Sequence, residues 1–181
     1  LHAAISSGHS SVLDVLLVNK VDIGAKEMST GRTAAHFAAS NGNLTIMKTL
    51  LQARVGLTLP DDNSLIPVDY AASHGHLRMV QDLTAHGAGP ENSGVCACIV
   101  AATHHHAAIM RFLISRLGTK VHAPDADGRQ PLHFAAKAGH LPVIKALVRS
   151  KAYVAAADSA LATPLHEAAQ AGYVSIVDYL L

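Results

Sequence analysis

The residues of this chain that could do chemistry are its histidines, its two cysteines and a few adjacent carboxylates. Thirteen histidines occur among 181 residues. The densest constellation is Cys96, Cys98, His104, His105 and His106, a set of thiolates and imidazoles of the kind that binds zinc. Its spacing is poor for that purpose, because His104 and His105 lie about two helical turns beyond Cys98. A Cys–His nucleophile would also need an oxyanion hole and a deep pocket, and no segment supplies either. The chain contains no G-x-x-x-x-G-K-[ST] phosphate loop, no G-x-G-x-x-G and no H-E-x-x-H. Asp61 and Asp62 are adjacent in a turn-rich stretch and read as solvated turn formers rather than an acid/base pair. The expectation is therefore no catalysis, no cofactor and no metal.

Most of the histidines fall at intervals set by a repeat. Leu132-His133-Phe134-Ala135-Ala136-Lys137-Ala138-Gly139-His140 recurs as Leu165-His166-Glu167-Ala168-Ala169-Gln170-Ala171-Gly172-Tyr173 and as Leu1-His2-Ala3-Ala4-Ile5-Ser6-Ser7-Gly8-His9. Weaker copies run from Ala35 to Asn43 and from Val68 to His76, and a degenerate one from Cys98 to His106. The first Ala of the double-Ala position falls at 4, 38, 71, 101, 135 and 168, in steps of 34, 33, 30, 34 and 33. That period is the signature of a repeat built from two helices.

Local chemistry gives each position a role. Pro67, Pro131 and Pro164 suit the first turn of a helix, where a missing N–H is not needed. Thr33 and Thr163 stand where they can cap that turn. Gly8, Gly42, Gly75, Gly139 and Gly172 end the first helix, where a positive φ is required. A second helix follows with apolar residues at helical spacing, such as Val143, Ile144, Leu147 and Val148, or Ile176, Val177, Leu180 and Leu181. Polar, turn-rich stretches separate the units: Asp22–Arg32, Gly56–Leu65, Gly87–Gly94, His122–Arg129 and Tyr153–Ala162. The fourth copy breaks the pattern. The turn-rich stretch before it is three residues short, His105 takes the helix-ending Gly position, Cys98 and Ile99 replace the Leu and His of the other copies, and its second helix runs one residue long near Leu117-Gly118.

Gln130-Pro131-Leu132-His133-Phe134-Ala135 and Thr163-Pro164-Leu165-His166-Glu167-Ala168 resemble the ankyrin T-P-L-H-x-A signature. The resemblance covers the whole chain as six copies, near 1–32, 33–65, 66–95, 96–129, 130–162 and 163–181, with the first and last truncated. It implies an all-α solenoid of stacked helix-turn-helix units with projecting hairpin fingers, forming a single ankyrin-repeat domain over residues 1–181. It also implies that His2, His36, His133 and His166 bond backbone and Thr side chains, tying finger to helix. The chain opens inside a first helix and closes on the apolar pair Leu180-Leu181, which leads us to expect that it is cut from a longer protein.

Composition agrees with a helical stack. Apolar residues make up 50% and charged residues 15%, with 4% aromatic and no Trp. Alanine must then fill the core, which suits closely approaching helices. A net charge of +1 does not favour a nucleic-acid protein, which normally carries a basic stripe. Two cysteines one residue apart are poorly placed to bridge and fit a reducing compartment, so we expect a cytoplasmic location. No apolar run is long enough to span a bilayer, and no small-molecule substrate is expected. A repeat stack without deep clefts suits recognition of another protein or peptide segment. The resemblance places contact positions on the fingers and just before the helix-ending Gly. Here those are Arg32, Asn41, Asn63, His74, His104, Asp127, Arg129, Lys137 and Gln170. The expected function is a protein-interaction scaffold. The alternative is the regulatory segment of a larger multidomain enzyme or channel.

Overall fold

The computed structural model describes residues 1–89, 92, 97–117 and 122–181. Among them are twelve helices and no strand. The chain divides into two compact units, Leu1–Val95 and Cys96–Leu181. The first holds α1 (His2–Ser6), α2 (Ser10–Val18), α3 (Ala34–Ser40), α4 (Leu44–Gln52), α5 (Pro67–Ser73) and α6 (Leu77–Ala85). The second holds α7 (Ala97–Thr103), α8 (Ala107–Leu117), α9 (Pro131–Lys137), α10 (Leu141–Arg149), α11 (Pro164–Gln170) and α12 (Val174–Leu180). Cys96, Gly94 and Gly118 lie outside the described residues.

Helices of five to eleven residues are too short to hold themselves in water, so packing must stabilise them. Each unit does this by stacking. In the first, α1, α3 and α5 lie in a row and α2 and α4 pack behind them; in the second, α7, α9 and α11 form the row and α8 and α10 pack behind. The Ala pairs sit where neighbouring inner helices touch. Ala38, Ala39, Ala71, Ala72, Ala101, Ala102, Ala135 and Ala136 are wholly buried, and a larger side chain would push the helices apart. Leu13, Ile46, Met47, Leu50, Met79 and Leu83 fill the space between the rows in the first unit, and Ile109, Met110, Leu113, Val143, Ile144 and Leu147 do so in the second. Each such side chain contributes about 1.5–3 kcal/mol by leaving water.

The prolines take the first turns that the spacing predicts, and the side chain three residues after the cap position, not the threonine, binds the cap N–H. Pro67, Pro131 and Pro164 open α5, α9 and α11. The Thr33 N–H donates to His36 Nδ1 at 3.0 Å, so the proton sits on Nε2, which donates to the Leu65 carbonyl at 3.0 Å. His133 repeats this arrangement, with Gln130 N–H on Nδ1 and Nε2 donating to Ala162. In the third copy Asp69 stands in for the histidine and takes the Ile66 N–H at 2.9 Å. His36 is wholly buried, and that burial holds its pKa below the ordinary value.

The helix-ending glycines adopt positive φ, 65° at Gly42 for example. At Gly42 a second reason applies, because an added Cβ would lie 2.6 Å from the His76 ring. His105 adopts φ 63° at the equivalent place in the fourth copy, a strained conformation for a residue with a Cβ. Helix α8 spans 11 residues where α4, α6 and α10 span 9, so the fourth copy's second helix exceeds its expected length by two residues rather than one.

Candidate functional site

Three finger tips are each built around one carboxylate. Asp61 Oδ1 accepts the Asn63 and Leu65 N–H groups, both at 2.9 Å. Asp125 Oδ1 accepts those of Asp127 and Arg129 at 3.0 and 2.8 Å. Asp158 Oδ1 accepts those of Ala160 and Ala162, both at 2.9 Å. Neighbouring fingers are joined by single backbone bonds, Asp62 N–H to Thr30 O and Ser159 N–H to Asp127 O. Of the adjacent pair, Asp62 is exposed as expected, whereas Asp61 is buried. The burial of Asp61 has a simple cause. Its second oxygen accepts the Tyr70 hydroxyl at 2.6 Å, and a carboxylate accepting three donors no longer needs water. Burial works against its charge, but Tyr70, Leu65 and Asn63 outweigh that and hold its pKa below the ordinary carboxylate value. The Tyr70 phenol rises in turn to about 12, through burial and the Asp61 bond.

In the first unit, Arg32 lies at the base of a finger with its guanidinium 4.4 Å from the centre of the Tyr70 ring and 6.0 Å from that of Phe37. It makes no ion pair among the described residues, and its Nε is buried without a hydrogen-bond partner. Asn63 is exposed at the finger tip. His74 is exposed at the end of α5, with its ring stacked 6.2 Å from His76. Asn41 is exposed, but its amide donates to Ser6 O at 2.9 Å and to Ile5 O at 3.3 Å, so its donors already serve the end of α1.

In the second unit, Arg129 pairs with Asp125 at 2.9 Å and with Asp127 at 2.8 Å, and it covers the Phe134 ring at 5.0 Å. The exposed Lys137 Nζ lies 3.8 Å from Glu167. Arg129, Lys137, His133, Phe134 and Glu167 line one shallow depression, so the structure brings two of the sequence-derived positions together. His104, at the turn after α7, and Gln170, at the end of α11, are exposed and lie apart from it. The residues not foreseen are Phe37, Tyr70, Phe134 and Glu167, all at the x of L-H-x-A. A basic residue five positions before an aromatic, as in Arg32–Phe37 and Arg129–Phe134, is the signal that could have found them.

The histidines after the glycines also acquire a role. His76 Nε2 donates to Ser40 O at 2.9 Å and His140 Nε2 to Thr103 O at 3.0 Å, each reaching the end of the preceding inner helix. Burial lowers the His140 pKa, and His105 and His104 nearby add to the effect. Among the described residues, no three His, Cys, Asp or Glu side chains converge as a metal site would require; Cys98 is buried in α7. No helix of the described residues is long and apolar enough to cross a membrane.

A family model described as "Ankyrin repeats (3 copies)" matches residues 1–94 and again 98–181. The chain belongs to the ankyrin-repeat family. It is 31% identical over 153 residues to "Ankyrin repeat protein nuc-2" of Neurospora crassa, covering 82% of this chain and 14% of that protein. It is 28% identical over 145 residues to "Ankyrin repeat and KH domain-containing protein mask-1" of Caenorhabditis elegans, covering 80% and 5%. It is 29% identical over 155 residues to "Probable 26S proteasome regulatory subunit p28" of Saccharomyces cerevisiae, covering 81% and 68%. The chain thus spans only a small part of the length of the first two. Ankyrin repeats are in general protein–protein interaction modules.

Proposed function

We propose that residues 1–181 act as one ankyrin-repeat domain that binds a partner protein or peptide segment, by recognition and not by catalysis, in the cytoplasm. In each unit the contact surface is the face made by the finger tips and the exposed side of the inner helices. One observation carries this reading: the arginines at the finger bases are braced on aromatic rings, Arg32 on Tyr70 and Arg129 on Phe134. A guanidinium held in place loses less entropy on binding than one free in solvent. Asn63 and His74 in the first unit, and His104, Asp127, Lys137 and Gln170 in the second, supply further polar contacts. With no Trp, affinity is expected to be moderate. The test compares, by quantitative mass spectrometry, the proteins retained by the wild-type chain and by the Arg129→Glu/Lys137→Glu variant. Loss of a defined subset supports the surface, and an unchanged set refutes it.

A second reading, a regulatory segment inside a larger enzyme or channel, draws support from the 14% and 5% of their lengths over which the chain matches two of its relatives. A full reading frame encoding only repeats would eliminate it.

A further inference from the structure

The two units differ in charge. Residues 1–95 hold six Lys and Arg against eight Asp and Glu, and residues 96–181 hold eight against five. The excess in the second unit is concentrated on its outer helices. Helix α8 carries Arg111 and Arg116, α10 carries Lys145 and Arg149, and Lys151 follows; all five are exposed. No Asp or Glu occurs in 107–117 or 141–151. The outer helices of the first unit are balanced, with Asp14 and Asp82 against Lys48 and Arg78.

Helices α8 and α10 pack side by side. Between them runs a groove of about 260 Å³ lined by Arg111, Ile114, Ala146, Arg149 and Ser150. Its floor is apolar at Ile114 and Ala146. The polar atoms of Ser150 are engaged, its hydroxyl on Leu147 O at 2.7 Å and its carbonyl by His122 Nε2 at 3.0 Å. Arg111 and Arg149 make no ion pair or side-chain hydrogen bond among the described residues. The groove therefore joins an apolar floor to two uncommitted guanidinium groups.

We infer that the α8–α10 groove is a second recognition site, on the outer helices, for an acidic segment of a partner protein that seats an apolar side chain on Ile114 and Ala146 and places carboxylates on Arg111 and Arg149. Guanidinium groups match planar carboxylates in two-point hydrogen bonds. The groove's size suits one or two side chains. A nucleic-acid strand would use the cations and leave the apolar floor unused, and the net charge of +1 gives it little long-range attraction. A bilayer is disfavoured because, among the described residues, no exposed large apolar side chain lies on α8 or α10 to insert.

The experiment is a fluorescence-anisotropy titration of the full chain with a short fluorescein-labelled peptide of alternating Glu and Leu. Parallel titrations use phosphatidylserine vesicles and a single-stranded DNA oligonucleotide. Arg111→Glu/Arg149→Glu should weaken peptide binding about tenfold or more, as loss of paired charges at an interface does. Arg129→Glu/Lys137→Glu, on the inner-helix face, should leave it within about twofold, so this result stands or falls separately from the function proposed above. Arg111→Gln/Arg149→Gln, checked for unchanged helical circular dichroism, serves if the charge reversal disturbs folding. Equal peptide affinity in wild type and groove variants overturns the inference. So does groove-dependent binding of the vesicles or the oligonucleotide without binding of the peptide.

Discussion

The fingers around Asp61 and Asp125 have the same loop and different electrostatics. In both, one carboxylate oxygen organises the turn through the N–H groups two and four residues on. The second oxygen differs. In the first unit it takes the hydroxyl of Tyr70, nine residues on. In the second unit the residue nine on is Phe134, which has no hydroxyl, and Arg129 pairs with the carboxylate instead. Two positions thus separate the fingers, Tyr70 against Phe134 and Leu65 against Arg129: one acid takes a phenol and the other neutralises an arginine. The finger that ends at Arg32 has Met28 and Thr30 where the other has Asp125 and Asp127, so Arg32 rests on rings and makes no ion pair among the described residues. Side chains at fixed positions of one scaffold therefore decide whether an arginine rests on rings alone or is also paired with carboxylates.

The largest expected effect tests that comparison directly. Asp61→Ala leaves two N–H groups and a buried hydroxyl without an acceptor, and should lower stability by about 2–4 kcal/mol in urea unfolding. Asp158→Ala, in a more exposed loop with no tyrosine, should lose about 1 kcal/mol. Equal losses would mean that the Tyr70 bond adds nothing. A smaller effect is expected with pH. His36 and His140 have lowered pKa values in the folded chain, so below about pH 6.5 the unfolded chain binds protons that the folded chain does not. Stability should fall as pH drops through that value, and His36→Gln should reduce the fall. Asp61 and Asp125 also have lowered values. Their contribution is present above the unfolded pKa and should disappear as pH falls through the folded one, giving a second, more acidic decline in thermal midpoint. The smallest effect is a gain: His105→Gly and Leu161→Gly, at φ 63° in both cases, should each stabilise by about 0.5–1 kcal/mol. No change at His105 would show that the fourth copy is not strained there.

The fold was legible because its determinants are local. Proline at the first turn, glycine at the last, alanine pairs and the His36-type cap all act within a few residues and recur at one period, so a single pass along the chain exposes them. The strained His105 was readable for the same reason. The candidate site was less so. Asp61 looked solvated because its third donor, Tyr70, sits on the next helix, and the bracing of Arg32 by that ring depends on two repeats folding against each other. The groove between α8 and α10 was not foreseen, since it depends on which faces of two helices 34 residues apart in sequence come together.

Asn41, His76 and His140 grip carbonyls 35, 36 and 37 residues back, each in the preceding repeat. His76 and His140 hold the same repeat position, so removing or duplicating the whole units between them keeps a like donor against a like acceptor and leaves that joint matched. A loss of any other length would break a joint, which makes duplication the natural route by which arrays of this kind grow.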